Sequence, residues 1–189
     1  MKRKIIKMNT ANRITISRIA LVPFFILFLF ILGKLGAVIS LFIFIIASLS
    51  DWLDGYIARK GNSVTTMGKI MDPVADKILT LSAFICFVYL HIVPFWMVII
   101  IMARDLVVMA LRVELANRGC ILTPNLVAKF KTVLEYAAVL FALIYLLTSP
   151  GFIRISLRIS VYSTLGLAAF FAVVSGVQYL LEGRKILAK

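Results

Sequence analysis

Hydrophobic residues along this 189-residue chain fall into six long blocks, and polar and charged residues gather between the blocks. An apolar stretch of about 20 residues crosses the hydrocarbon core of a bilayer as an α-helix, at ~1.5 Å per residue. The pattern therefore predicts an all-α integral membrane protein with six transmembrane helices. The predicted spans are Ile14–Leu32, Ala37–Ile57, Ile70–Ile92, Pro94–Leu115, Leu126–Leu147 and Ile155–Leu181.

A short basic segment, with Lys2, Arg3, Lys4 and Lys7, precedes a first span that only Arg18 interrupts. This start resembles a secretory signal peptide, but the apolar block is long and no small-residue cleavage site precedes the second block. We therefore expect a retained first helix, preceded by a basic segment that lies on the membrane surface.

Composition supports the membrane environment, since 62% of the residues are hydrophobic and soluble domains have about 45–50% apolar residues. No internal repeat, low-complexity tract or Gly/Ser-rich linker divides the chain. Residues 1–189 are therefore expected to form one membrane domain.

The net charge of +13 in a soluble protein would suggest a nucleic acid partner. Here the basic residues lie mainly at span ends and in short connections, where they set orientation and meet the anionic headgroups of the bilayer. Both termini and the more basic connections are therefore predicted to be cytoplasmic, as in a bacterial inner membrane. That side carries Arg59, Lys60, Lys69, Arg112, Arg118, Lys129 and Lys131, and the opposite side carries Lys34, Arg154 and Arg158.

Four of the eight acidic residues are clustered in sequence, as Asp51, Asp54, Asp72 and Asp76. A charged group inside a span costs roughly 2.5–3.5 kcal/mol or more unless it is paired, hydrated or metal-bound. Spacings of three and four place each pair on one helix face, and consecutive antiparallel spans would bring both pairs to the cytoplasmic end. Four carboxylates suit Mg²⁺ or Mn²⁺ better than zinc, and the sole histidine, His91, falls at the far end of the third span.

A structural alternative is that these aspartates cap helices or pair with neighbouring lysines and arginines. Asp72 directly precedes Pro73, as an N-cap residue often precedes a first-turn proline. Capping does not account for the other three acids, so a functional site is the better interpretation. Small residues beside them, at Gly55, Ala58 and Gly68, would leave room for a flat group such as a nucleobase, although small residues also permit tight helix packing, the favoured explanation for Ala58 alone.

The whole run resembles the signature of the CDP-alcohol phosphatidyltransferase family at every fixed position. The resemblance implies a six-helix, usually homodimeric enzyme that transfers a phosphatidyl group from CDP-diacylglycerol to an alcohol and releases CMP. The matching run is Asp51-x2-Asp54-Gly55-x2-Ala58-Arg59-x8-Gly68-x3-Asp72-x3-Asp76.

The resemblance also implies a role for each residue of the run. Asp51, Asp54 and Asp72 would be the principal ligands of one or two Mg²⁺ or Mn²⁺ ions. Asp76 would complete the metal site and take the proton of the attacking hydroxyl as a general base. The cytidine and diphosphate pocket would be lined by Asp54, Gly55, Ala58, Arg59 and Gly68.

A second set of basic residues, on and after the fourth span, indicates a phosphorylated acceptor, because a neutral alcohol would not require such a set. The alternative for any single member is orientation by the positive-inside rule. The set also resembles the glycerol-3-phosphate-using branch of the family, as do residues 72–77 and a first-span motif of Asn12, Thr15 and Arg18. The predicted acceptor-phosphate residues are Arg104, Arg112, Arg118, Lys129 and Lys131.

Two other functions stay open from the sequence. A sister enzyme of the same family, using inositol phosphate, serine or phosphatidylglycerol as acceptor, predicts the same metal site and differs only in its acceptor pocket. A divalent cation transporter would line its path with the four aspartates, but all four are predicted to lie at one face of the membrane, with no ionisable residue continuing the path.

Overall fold

The computed structural model describes the backbone of residues 10–60, 66–118, 120 and 125–187, and the side chains of residues 19–50, 77–115, 118, 120 and 125–186. Six α-helices make up nearly all of this described part, which confirms the all-α prediction. The basic segment with Lys2 and Lys7 lies outside the described residues. The helices are α1 (Thr10–Ile31), α2 (Gly33–Lys60), α3 (Thr66–Tyr89), α4 (Phe95–Asn117), α5 (Leu126–Leu147) and α6 (Phe152–Leu187).

Three stretches within the described residues are long and apolar enough to cross a membrane, namely Gly33–Ser50, Leu126–Leu147 and Phe152–Ile186. Shorter apolar helical stretches occur at Ile19–Ile31 and Lys77–Tyr89. Length and composition thus indicate a membrane protein.

The last helix is longer than its apolar block predicts, since α6 has 36 residues and ends with Arg184 and Lys185 in its last turn. Cations at a helix C-terminus interact favourably with the exposed carbonyl groups of that end. The helix therefore continues past the hydrophobic pattern into a polar end.

The contacts group the chain into two compact units, Met1–Ser82 and Ala83–Lys189. In the first unit, α1 packs against α2 through small residues of α2, because Gly36, Ala37 and Ser40 are buried. The Ser40 hydroxyl donates a hydrogen bond of 3.1 Å to the Phe25 carbonyl of α1. Small residues that let backbones approach, with a hydroxyl that bonds across, are a common means of helix association in membranes.

Gly36→Ala is expected to destabilise this hairpin, because a Cβ at position 36 would clash with the Phe28 carbonyl oxygen and lie 2.9 Å from its carbon. The obstacle is backbone, so the helices must separate, and overpacking of this kind typically costs about 1–3 kcal/mol. Gly166→Ala is the matched control, since a Cβ there meets only the Met97 methyl at 3.8 Å. Thermal unfolding in detergent should show a lower midpoint for Gly36→Ala alone, and an unchanged midpoint would contradict the packing described.

In the second unit, α6 packs against both α4 and α5. Its buried residues recur at alternating spacings of three and four, which is the pattern of a helix packed along one seam. They form a stripe of Val161, Leu165, Ala168, Ala172, Ser175 and Tyr179. Further along, a Cβ on Gly183 would lie 2.8 Å from both Leu111 methyl carbons, so this glycine permits the close approach of α6 to α4.

Candidate functional site

The aspartate run occupies two helices. Asp51 and Asp54 lie in the last turns of α2, and Asp72 and Asp76 lie in the first turns of α3. Each helix is continuous through its pair, so positions three or four apart share a helix face. The side chains of all four, of Gly55, Ala58, Arg59 and Gly68 beside them, and of Asn12, Thr15 and Arg18 on α1 lie outside the described side chains. Their convergence on a metal therefore stays a prediction.

The chemistry of this donor set fits a hard divalent cation, because carboxylate oxygens are the ligands that Mg²⁺ and Mn²⁺ prefer. Among the described residues no group of three or more His, Cys, Asp or Glu is placed to hold a metal ion. The four aspartates, whose side chains lie outside the described part, stay the predicted metal ligands.

The second predicted set, the basic residues, is well described, and part of it forms a buried charge cluster of Arg104, Asp105, Lys131 and Glu135. The Lys131 ammonium lies 2.5 Å from Asp105 Oδ1 and 2.5 Å from Glu135 Oε1. The Arg104 Nη1 group donates to the same Asp105 oxygen at 3.0 Å. The Lys131 side chain is fully buried, with 0% exposure. Among the described side chains, two cations and two carboxylates thus lie together at buried positions.

Helix periodicity explains how these charges come together. Asp105 occupies the inward stripe of α4, between buried Ile101 and Val108. Lys131 and Glu135 are one turn apart on the buried side of α5, which continues with Ala138. The charged residues therefore take core positions on two helices that α6 packs against.

Tyr179 of α6 adjoins this cluster and joins it to the start of α5. The guanidinium groups of Arg104 and Arg112 make cation–π contacts with its ring, and their Cζ atoms lie 5.4 and 5.3 Å from the ring centroid. Its hydroxyl accepts hydrogen bonds from Arg112 Nη2 at 3.2 Å and from the Asn125 backbone N–H at 2.8 Å. The Asn125 amide also donates to the Gln178 carbonyl oxygen.

Arg104 retains two donor nitrogens, Nε and Nη2, that are buried and have no hydrogen-bond partner among the described residues. The aliphatic part of the Arg104 side chain packs against Gly176 of α6. A Cβ at position 176 would lie 3.1 Å from Arg104 Cγ, so the glycine makes room for the arginine. A buried guanidinium with unused N–H groups is disposed to bind an anion, because unmade hydrogen bonds to charged groups are costly.

The other two predicted acceptor residues, Arg118 and Lys129, are exposed, as Arg112 is. Arg118 pairs with Glu114 at 2.8 Å, and the two side chains are 56% and 50% exposed. Lys129 lies exposed in the first turns of α5. The structure thus brings together Arg104, Arg112 and Lys131 around Tyr179 and Asp105, with Arg112 reaching the surface, and leaves Arg118 and Lys129 apart from them at the surface.

Sequence reasoning missed Glu135 and Tyr179. A signal for Glu135 was available, because an acid one turn after Lys131 in an otherwise apolar span is expected to pair with it. Tyr179 has no comparable local signal, since its partner Arg112 is 67 positions away in sequence.

Comparison with known proteins adds to this geometry. The family model described as CDP-alcohol phosphatidyltransferase matches residues 8–178. Three similar relatives are each named CDP-diacylglycerol–glycerol-3-phosphate 3-phosphatidyltransferase. The Bacillus subtilis (strain 168) protein is 39% identical over 183 residues, covering 90% of this chain and 93% of the relative. The Rickettsia bellii protein is 36% identical, covering 94% and 96%, and the Wigglesworthia glossinidia brevipalpis protein is 35% identical, covering 70% and 75%.

Proposed function

The chain belongs to the CDP-alcohol phosphatidyltransferase family, and we propose that it transfers the phosphatidyl group of CDP-diacylglycerol to glycerol 3-phosphate, giving phosphatidylglycerophosphate and CMP. The observation that carries this proposal is the similarity over nearly the whole chain to relatives that bear the name of this activity. Family membership also favours an enzyme over the cation transporter considered from the acids alone.

The reaction assigns work to the aspartate run. Asp51, Asp54 and Asp72, with Asp76, would hold the metal, and a bound Mg²⁺ or Mn²⁺ supplies charge neutralisation on the diphosphate. Asp76 takes the proton as the acceptor hydroxyl oxygen bonds to the phosphorus that carries the diacylglycerol. The bond from that phosphorus to the CMP oxygen breaks, and CMP leaves with the electron pair. Asp54, Gly55, Ala58, Arg59 and Gly68 would line the cytidine and diphosphate pocket.

The acceptor phosphate would bind at the basic set. Arg104 offers its two unpartnered N–H donors, and the Arg112 guanidinium lies on the same tyrosine ring. Lys131 binds the Asp105 carboxylate that Arg104 also binds, so it supports the site through Asp105. Exposed Lys129 adds positive potential that attracts a dianion from solution, and Arg118 adds less because Glu114 pairs with it.

The proposed topology has six membrane spans within one domain over residues 1–189. Both termini and the active site lie on the cytoplasmic side of a bacterial inner membrane, with the basic N-terminal segment on the anionic lipid surface, and two copies form a homodimer. The support is the excess of Lys and Arg in the two predicted cytoplasmic connections. Glycerol 3-phosphate would then reach the site from the cytoplasm, while the acyl chains of the donor stay in lipid.

The test is CMP release by the purified protein in mixed micelles that contain CDP-diacylglycerol. Glycerol 3-phosphate, inositol phosphate, serine and phosphatidylglycerol are offered in turn, each with Mg²⁺, with Mn²⁺ and with a chelator. We expect release with glycerol 3-phosphate, dependent on either metal and abolished by the chelator. Release with serine but not with glycerol 3-phosphate would overturn the acceptor assignment in favour of a sister enzyme.

A further inference from the structure

Two arginines of α4 converge on the ring of one tyrosine, although their positions are eight residues apart. At ~1.5 Å per residue their Cα atoms are separated by roughly 12 Å along the helix. Even so, the Cζ atoms of Arg104 and Arg112 each lie within 5.4 Å of the Tyr179 ring centroid. Like charges repel, so this convergence needs a compensating attraction, and the negative face of an aromatic ring supplies one.

The Tyr179 hydroxyl adds direction to this attraction. It accepts from Arg112 Nη2 and from the Asn125 backbone N–H, which uses both acceptor lone pairs of a phenolic oxygen. The first bond fixes where the Arg112 guanidinium points, and the second ties the start of α5 to α6. Tyr179 is 1% exposed, so the surrounding side chains hold its ring in place.

The remaining contacts leave the two arginines ready for an anion. Asp105 binds Arg104 through Nη1 only, which leaves Nε and Nη2 without partners in the described part of the chain. The charge of Asp105 is shared with Lys131, and among the described side chains the buried charge cluster has two cations and two carboxylates. The positive charge of Arg112 comes in addition to this balance. A phosphate dianion fits the pair better than a neutral group does.

We propose that Tyr179 is a positioning residue that determines the preference for a phosphorylated acceptor, by holding the guanidinium groups of Arg104 and Arg112 against one ring. The proposal rests on the proposed function and adds to it a residue that touches the arginines, not the substrate. Gly176 contributes to the same arrangement, because the lack of a Cβ at this position leaves room for the aliphatic part of Arg104.

The test compares Tyr179→Phe, Tyr179→Leu and the control Tyr162→Phe. Tyr162 lies on the same helix and also carries an arginine over its ring, with Arg158 Cζ at 5.8 Å, but it is not part of the basic set. For Tyr179→Phe we expect the KM for glycerol 3-phosphate to rise about tenfold, because the hydrogen bond from the Arg112 guanidinium is lost. A tenfold change corresponds to the free energy of one hydrogen bond to a charged group. The kcat and the KM for CDP-diacylglycerol should stay within about twofold. Tyr179→Leu, which also removes the ring, should raise the KM further, and Tyr162→Phe should resemble the wild type.

A double variant tests whether Tyr179 acts through the arginine. If it does, Tyr179→Phe added to Arg112→Ala should raise the KM for glycerol 3-phosphate by much less than it does in the wild-type background. Full additivity would overturn the proposal, as would an unchanged KM in Tyr179→Phe or an equal rise in both KM values.

Titration calorimetry with inorganic phosphate, on the detergent-solubilised proteins, separates this proposal from the proposed function. Weaker phosphate binding by Tyr179→Phe than by Tyr162→Phe supports the positioning role, even if the wild type transfers nothing to glycerol 3-phosphate and the proposed function falls. Equal phosphate binding by the two variants, in an enzyme that does use glycerol 3-phosphate, overturns the positioning role alone.

Discussion

Asp76→Asn is expected to lower the rate of phosphatidyl transfer by about 10²–10⁴-fold, the usual contribution of a general base. Asparagine has the size of aspartate and keeps one oxygen that can approach a cation, but its neutral amide does not take the proton of the attacking hydroxyl. The kcat for CMP release should therefore collapse, while binding of Mn²⁺ and of CMP is retained in part.

Glu182→Gln is the matched control for this substitution. Glu182 is an exposed acid near the end of α6 and has no assigned role, so the same change from carboxylate to amide should leave turnover within about twofold, as surface substitutions usually do. Turnover by Asp76→Asn at the rate of the control would refute the assignment of the base. Loss of all Mn²⁺ binding would instead make Asp76 primarily a metal ligand.

Lys131→Met is expected to reduce the free energy of unfolding by about 3–5 kcal/mol, the range seen when one partner of a buried ion pair is removed. The ammonium of Lys131 lies between the Asp105 and Glu135 carboxylates, so its loss leaves two buried acids without the cation that they share. Unfolding in mixed detergent micelles, followed by circular dichroism, measures the change.

Two further variants make this stability prediction specific. Arg118→Met removes a cation from the exposed pair with Glu114 and should cost less than about 1 kcal/mol. Lys131→Met/Glu135→Met removes the pair within α5 together and leaves Asp105 with Arg104, so it should be more stable than Lys131→Met. The opposite order would show that the cost comes from lost packing of the lysine stem.

Much of the fold could be predicted because each helix coincides with an apolar block. The bounds of α5, Leu126–Leu147, are those of the predicted span. The prediction for α6, Ile155–Leu181, was too short at both ends, since the helix runs from Phe152 to Leu187. In the structure Arg154 lies over the Tyr145 ring at 4.6 Å and donates to the Thr148 carbonyl, so a basic residue is accommodated within the first turn of the helix.

The sequence allowed the types of the site residues to be predicted, but not which residue each cation contacts. Arg104, Arg112 and Lys131 were identified by their charge in or beside apolar spans, which local sequence reveals. Whether a cation meets a substrate or a carboxylate depends on contacts between helices, such as that of Lys131 with Asp105 of α4. Hydropathy predicts which segments are apolar enough to lie in lipid. It does not predict which side chains of two helices contact each other.

The pairing of Lys131 with Glu135 has a consequence for biogenesis. The two charges lie one turn apart on the same helix, so α5 can neutralise them before any other helix is present. A charged residue in an apolar inserting segment is costly unless it is paired, and an internal pair reduces that cost. Asp105 belongs to α4, so it can bind Lys131 only after α4 and α5 have come together. The same carboxylate that binds Arg104 thereby links α4 to α5.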